Sequence, residues 1–247
     1  MKRWPLLGFG LGVYALVLIA TAPATLIDAV MQQATAGKLR LAEAHGTIWS
    51  GAGLLDIRDS NRRDGIAKSV AWRVLPSYLV LGQLRCEVAL DQATRRFPVA
   101  ISLHRVELSD ADIALPAAAL GLGEPKLAPL GLTGDVLLHI ARLSIGRDTV
   151  QGNATLQWKA AGSTFAPVSP LGDYELRFDA DGGAVRATLR TLQGPLQLEG
   201  QGSWTRGSNP TFRGAARVPP QYLQQLAPLL RMIAVERGAG NFDLQLK

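Results

Sequence analysis

The fold class is decided by two alternating runs and the turn between them: Tyr174-Glu175-Leu176-Arg177-Phe178, Asp181-Gly182-Gly183 and Val185-Arg186-Ala187-Thr188-Leu189. Apolar and polar residues alternate in both runs, which is typical of strands with one buried face. Aspartate and glycine tolerate the positive φ angles that a tight reversal requires. The stretch therefore predicts an antiparallel hairpin.

The same alternation recurs on either side of this hairpin. Further runs cover 135–140, 154–158, 196–198 and 242–246, and they are separated by glycine-containing turns. No strand-helix-strand order of the kind that builds a parallel sheet is present. Two short helices are predicted, over 115–120 and 219–230, each with proline near its start. We predict a mainly β protein: curved antiparallel sheet or sheets of short strands, with one or two short helices.

The first residues predict the compartment. Residues 4–22 carry no charge and follow Lys2 and Arg3. About 20 apolar residues suffice to cross a bilayer as a helix, and basic residues stay on the cytoplasmic side. We expect a cytoplasmic start over 1–3, a single N-terminal transmembrane anchor over 4–22, a helical extension over 23–37 and a periplasmic β-rich domain over 38–247. A cleaved signal peptide is the alternative, because small residues surround Pro23.

Composition restricts the classes of function. The 247 residues carry a formal net charge of +6, but the basic residues are scattered among acidic ones and are not massed. Nucleic-acid binding requires a clustered basic face, so we expect no nucleic-acid partner. The only cysteine, Cys86, has no internal disulfide partner and lies in a strand-like run.

Reactive chemistry has no visible signature. The three histidines, His45, His104 and His139, lie far apart, and there is no nucleophile elbow, phosphate-binding loop or metal-ligand spacing. Two carboxylates lie in the segment 109–112, which we interpret as a loop and helix cap. We therefore predict no catalytic residues, no cofactor and no metal, and hence a protein that is not an enzyme.

Tryptophan recurs in strand-like surroundings at Trp72, Trp158 and Trp204, with glycine nearby. This internal similarity is consistent with two diverged halves. For Trp49, which is flanked by glycines, we favour packing in a core over contact with a partner.

Several of these features occur in a fixed order. Gly46-Thr47-Ile48-Trp49-Ser50-Gly51 is followed by the segment from Ala71 to Pro76, by Gly82, by a run around Gly134, by Gly194 and Gly200, and by a closing strand from Gly238. In this order the sequence resembles the type II secretion system protein N family over nearly the whole exported region. The resemblance marks these residues as structural or partner-facing: Gly46, Thr47, Trp49, Gly51, Trp72, Pro76, Gly82, Gly134, Gly194 and Gly200.

The resemblance implies an accessory component of the inner membrane, which acts as a periplasmic interaction module in the export of folded proteins across the outer membrane. Its partners would be other type II secretion components and secreted substrates, with the membrane contacted through 4–22. The alternative is a periplasmic β-groove protein that handles lipid or acyl chains. An open apolar face would favour that alternative, and the residues concerned are Val136, Leu138, Ile140, Leu176, Phe178, Leu189, Leu196 and Leu198.

Overall fold

A computed structural model describes residues 4–58, 65–91, 95–123, 127–205, 207–238 and 240–246. The chain divides into two compact units, Met1–Arg96 and Phe97–Lys247, which we call unit 1 and unit 2. Both are built on antiparallel strands, so the predicted mainly β, antiparallel class is confirmed. The predicted cytoplasmic start over 1–3 lies outside the described residues, and the extent of a domain over 38–247 stays a prediction.

Unit 1 begins with two helices, α1 (Trp4–Ala20) and α2 (Thr25–Ala34). The described side chains of α1 are apolar and exposed on all sides. In the described part of the chain, no helix has both the length and the apolar character needed to cross a membrane. The predicted span over 4–22 is therefore not confirmed: α1 has 17 residues. It ends at Ala20 because the backbone that follows pairs with a strand turn, as Ile48 N donates to Ala22 O over 3.0 Å.

The sheet of unit 1 is a meander in which neighbours in the chain are neighbours in space. Its strands are β1 (Leu39–Gly46), β2 (Ser50–Arg58), β3 (Gly65–Leu75) and β4 (Gln83–Leu90). Helix α2 covers the outer edge of β1: Asp28 Oδ1 accepts from Leu41 N over 2.8 Å, and Thr35 Oγ1 accepts from Leu39 N over 3.1 Å. These bonds satisfy backbone groups that an edge strand leaves unpaired.

The sheet of unit 2 is also a meander, except that its last two strands exchange places. Its strands are β5 (Phe97–Ser102), β6 (Arg105–Pro116), β7 (Leu132–Gly146), β8 (Val150–Ser163), β9 (Gly172–Gly182), β10 (Ala184–Gln193), β11 (Gln197–Thr205), β12 (Thr211–Arg217), β13 (Val235–Gly238) and β14 (Asn241–Leu246). Strand β14 pairs with β12, which leaves β13 at the edge. The hairpin predicted around Asp181-Gly182-Gly183 is the β9–β10 connection.

The predicted interpretation of 109–112 as a loop and helix cap is wrong. These residues lie inside β6, where Ala111 pairs with Ile140 and is completely buried. The alternation of exposed aspartates with a buried alanine is that of a strand. The predicted helix over 115–120 starts later, as a 3₁₀ turn over Ala117–Ala119 followed by α3 (Leu120–Gly123).

The buried core of unit 2 lies under α4 (Pro220–Ile233), which confirms the predicted second helix. Its apolar stripe contributes Leu226 and Leu230, both completely buried, to a cluster with residues of the strand ends. The other members of that cluster are Leu171, Leu196, Ala216, Val218 and Phe242.

The two faces of the sheet in unit 2 differ in chemistry. On one face Leu138, Leu156, Leu176 and Leu189 are direct cross-strand partners, and all four are only half-buried. On the other face charged and polar side chains alternate with them along each strand, as the period of two requires.

Candidate functional site

The turn between β1 and β2 holds four of the family-motif residues. Thr47 organises it: its Oγ1 accepts from the backbone N of Trp49 and of Ser50, both over 3.3 Å, and its backbone N donates to Ser50 O over 2.9 Å. Such bonds are how threonine stabilises a tight turn. At Gly46, φ is +91° and a Cβ would lie 2.5 Å from Ser50 O, so the turn requires glycine there.

This turn binds the end of α1. The indole Nε1 of Trp49 donates to Ile19 O over 2.9 Å. That carbonyl belongs to the last turn of the helix, where it accepts only a long bond, over 3.4 Å, from Ala22 N. The chain after the helix then pairs with the turn, because Ala24 N donates to Gly46 O over 3.2 Å. Ala24 is 1% exposed. Each of these two bonds, like the bond from Ile48 N to Ala22 O, contributes about 1 kcal/mol net, so the three together hold the helix end firmly.

Trp72 of β3 stabilises the turn between β1 and β2. Its Nε1 donates to Thr47 O over 3.2 Å, and a Cβ on Gly51 would lie 2.5 Å from its ring atom Cζ2. Only glycine at position 51 leaves room for the indole. Val74 N also donates to Trp49 O over 2.6 Å. We call residues 46–51 together with Trp72 the helix clasp.

Trp49 was predicted to pack in a core or to contact a partner. It is half-buried, and its indole Nε1 donates to the backbone of another segment. Its contact with a partner stays a prediction. Pro76 and Gly82 bracket the next element, a 3₁₀ helix over Pro76–Leu81 that we call η1. Proline starts η1, and Gly82, with φ of +67°, ends it in the left-handed conformation that favours glycine.

Unit 2 repeats the indole bond. Trp158 Nε1 donates to Thr133 O over 2.9 Å, and the two residues are 25 apart in sequence, as Thr47 and Trp72 are. Gly134 follows Thr133 and brings β7 close to the carbonyl of Ala160. We call Thr133, Gly134 and Trp158 the core clasp.

The core clasp contacts the buried cluster under α4 through Tyr174. The rings of Trp158 and Tyr174 are 6.0 Å apart, and the Tyr174 hydroxyl donates to Leu196 O over 2.9 Å. Burial, together with the nearby charge of Asp173, raises the pKa of the Tyr174 hydroxyl, which therefore stays a donor. The remaining family-motif residues, Gly194 and Gly200, lie where a backbone or a ring approaches closely: Gly194 beside Gly172, and Gly200 under Phe212.

A charged cluster lies on the polar face of unit 2. The Glu175 carboxylate, 6% exposed, accepts from Arg177 Nε and Arg190 Nη2, both over 2.7 Å, and Gln157 donates to it over 3.4 Å. Desolvation by burial opposes ionisation of Glu175, but the charges and hydrogen bonds of the arginines and of Gln157 prevail and lower its pKa. The cluster is an ionic bridge between β9 and β10, to which Gln157 adds a hydrogen bond from β8.

The described residues offer little for reaction chemistry. Within them no group of three or more histidine, cysteine or acidic side chains is placed to hold a metal ion. His139 and Asp112 form an exposed pair, with Nδ1 and Oδ1 2.6 Å apart, and burial raises the pKa of the Cys86 thiol.

Sequence reasoning missed three features of this region. It did not identify Ile19 O as the acceptor of the Trp49 indole, because every residue has a backbone carbonyl and the residue pattern does not show which one accepts a bond. Nor did it find the cover of β1 by Asp28 and Thr35. The shared spacing of Thr47 with Trp72 and of Thr133 with Trp158 was available as a signal, because each threonine adjoins a family-motif glycine.

The fold and the clasps define a class: an antiparallel β protein whose N-terminal apolar helix is fastened to its first hairpin. Within that class, the chain belongs to the type II secretion system (T2SS) protein N family, whose profile matches residues 37–245. This confirms the resemblance found in the sequence, and it makes the protein a component of a type II secretion system. No curated protein and no solved structure matches the chain.

Proposed function

We propose that this protein is an accessory, non-enzymatic interaction module of the type II secretion system. It is attached to the inner membrane, and other components of the system bind to its periplasmic part. The family implies a place in the envelope and contact with secretion components. The docking surface we propose is the free edge of β13.

The observation that carries this proposal is the contrast between the two edge strands. Bonds from Asp28 and Thr35 occupy the outer edge of β1. All residues of β13 are exposed, including Val235 at 68%. The charges of Glu236 and Arg237, which could repel an incoming strand, are already paired with Arg231 and Asp243. An extended segment of a partner can therefore add to β13 by β-augmentation.

Attachment to the inner membrane is supported by α1. Its described side chains are apolar and exposed, which is costly in water and favourable in lipid. Seventeen residues measure about 25 Å, at the short end of what spans a bilayer. In this proposal the sheet of unit 1 follows the membrane segment directly, and the positive-inside rule predicts that it lies on the periplasmic side.

Site-specific photocrosslinking in intact cells tests the docking surface. A photoreactive residue at Val235 should capture another component of the secretion system, to be identified by mass spectrometry. The matched control is the same residue at Arg40, which is exposed but lies on the covered strand β1. Equal capture of secretion components at both positions, or none at Val235, would refute docking through β13.

A second candidate function is the handling of lipid or acyl chains. Of the apolar residues named for it, Val136, Ile140 and Leu196 are buried, and Leu198 packs against the cluster under α4. Leu138, Leu176, Phe178 and Leu189 remain half-buried and outside that cluster. This partly open row, extended by Leu156, favours an apolar ligand.

Adjacent residues of β10 supply a matched test for the second candidate. Leu189→Glu places a charge on the apolar face and Thr188→Glu places one on the polar face. If unit 2 carries lipid, phospholipid that copurifies with the wild-type chain and with Thr188→Glu should be absent from Leu189→Glu. Absence of bound phospholipid from the wild type would rule this function out.

A further inference from the structure

The short helix η1 ends in an exposed apolar tip. Leu79, Val80 and Leu81 are 42%, 90% and 71% exposed, and no polar residue separates them. Large apolar side chains are usually exposed singly, so three in succession on a surface helix require an explanation. Neither the clasp nor the β13 edge uses them.

The backbone places this tip at the same end of unit 1 as the helix clasp. Val74, two residues before η1 starts at Pro76, donates its N–H to Trp49 O. Trp49 in turn binds Ile19 O at the end of α1. The tip therefore lies at the level where α1 ends, whereas β3 carries Ala67 about 23 Å toward the opposite end of the sheet.

The residues around the tip have the composition of a membrane interface. The guanidinium of Arg85 lies over the Tyr78 ring, 4.2 Å from its centroid, and Arg73 is exposed on the neighbouring strand. Tryptophan and tyrosine favour the boundary between hydrocarbon and water, and each arginine near an anionic surface is attracted to it.

We propose that η1 inserts residues 79–81 into the boundary between headgroups and acyl chains of an anionic phospholipid bilayer and forms a second membrane contact beside α1. This inference rests on the proposed attachment of α1 to the membrane and adds an orientation to it. One flexible attachment would leave the sheet free to tilt. Two membrane contacts at the same end of unit 1 would hold its strands at a steep angle to the membrane plane.

Fluorescence quenching by brominated lipid tests the contact. The full-length chain, with Cys86→Ala, receives a single cysteine at Val80, at Leu16 of α1 or at Ala67, and each is labelled with an environment-sensitive dye. Each protein is reconstituted into vesicles of phosphatidylethanolamine and phosphatidylglycerol, with plain or with brominated acyl chains. We expect the dyes at Leu16 and at Val80 to lose fluorescence in the brominated vesicles, and the dye at Ala67 to keep it.

The three positions separate the two claims. Quenching at Leu16 without quenching at Val80 would overturn the second contact and leave attachment through α1 intact. Absence of quenching at both would overturn both claims. In the chain labelled at Val80, the added changes Leu79→Asp and Leu81→Asp should abolish quenching of that dye, while the Leu16 dye in the same background stays quenched. Persistent quenching at Val80 in that background would also overturn the proposal.

Discussion

The helix clasp and the core clasp contain the same kind of hydrogen bond, but the bond serves a different purpose in each. In both, a tryptophan indole donates to a threonine carbonyl 25 residues earlier. In unit 1 the turn held by Trp72 presents Trp49 to the apolar helix α1, whereas in unit 2 Trp158 packs beside Tyr174 at the buried cluster. The same hairpin device thus serves attachment or core packing, depending on what lies beyond the turn. Changes to the helix clasp should loosen α1, and changes to the core clasp should destabilise unit 2.

The largest effect is expected for Trp158→Ala. Loss of the ring removes its contact with Tyr174 and its bond to Thr133, which should cost about 3 kcal/mol and lower Tm by roughly 6–12 °C. Denaturant unfolding, with hydrogen exchange over β7 and β8, measures this loss. Trp204→Ala is the control, because Trp204 is 45% exposed, and it should cost less than about 1 kcal/mol. Equal losses of stability in the two variants would mean that Trp158 of the core clasp contributes no more than an ordinary surface tryptophan.

The ionic bridge at Glu175 gives unit 2 an acid sensitivity. Because the pKa of Glu175 is lowered in the folded state, its stabilisation is present above the unfolded pKa, about 4.5, and is lost as pH falls through the folded pKa. Glu175→Gln should cost about 1–2 kcal/mol at neutral pH and flatten this acid dependence. Unfolding curves from neutral pH down to acid test it. A wild type and variant with parallel pH profiles would contradict the account.

For the helix clasp, Trp49→Phe removes one N–H donor and little volume. Ile19 O then loses its indole partner, and the end of α1 should open more often. With a cost of about 1 kcal/mol, amide exchange at Ala24 and Ile48 should accelerate about fivefold. The same change at Trp158 should leave these two amides unaffected. Acceleration in both variants would mean that the clasps are not independent.

The smallest effect is expected for Thr47→Val, which keeps the shape of the side chain and removes the Oγ1 acceptor of the turn. We expect about 0.5–1 kcal/mol of destabilisation, confined to the turn at 46–51. Exchange at the amides of Trp49 and Ser50 reports it. Unchanged amide exchange at Trp49 and Ser50 would show that Thr47 stabilises the turn only through its backbone.

The sequence was sufficient for the strand pattern and its central hairpin, because alternation and glycine turns act locally. It failed at 109–112, where two aspartates on the exposed face of β6 were interpreted as a helix cap. The bond from Ile48 N to Ala22 O, after the end of α1, could not be predicted because it joins segments far apart in sequence. Which edge strand is covered likewise depends on side chains of a helix packed against it, and periodicity does not report such contacts.

The most direct test of the central claim is secretion by a strain that lacks this gene and is supplied with the chain or its variants. Lysine on an edge strand obstructs the addition of a further strand, so Val235→Lys should block docking at β13. We expect the wild type and Ala42→Lys, on the covered edge of β1, to release exoproteins into the medium, and Val235→Lys to leave them in the periplasm. Normal secretion with Val235→Lys at wild-type protein levels would contradict the account.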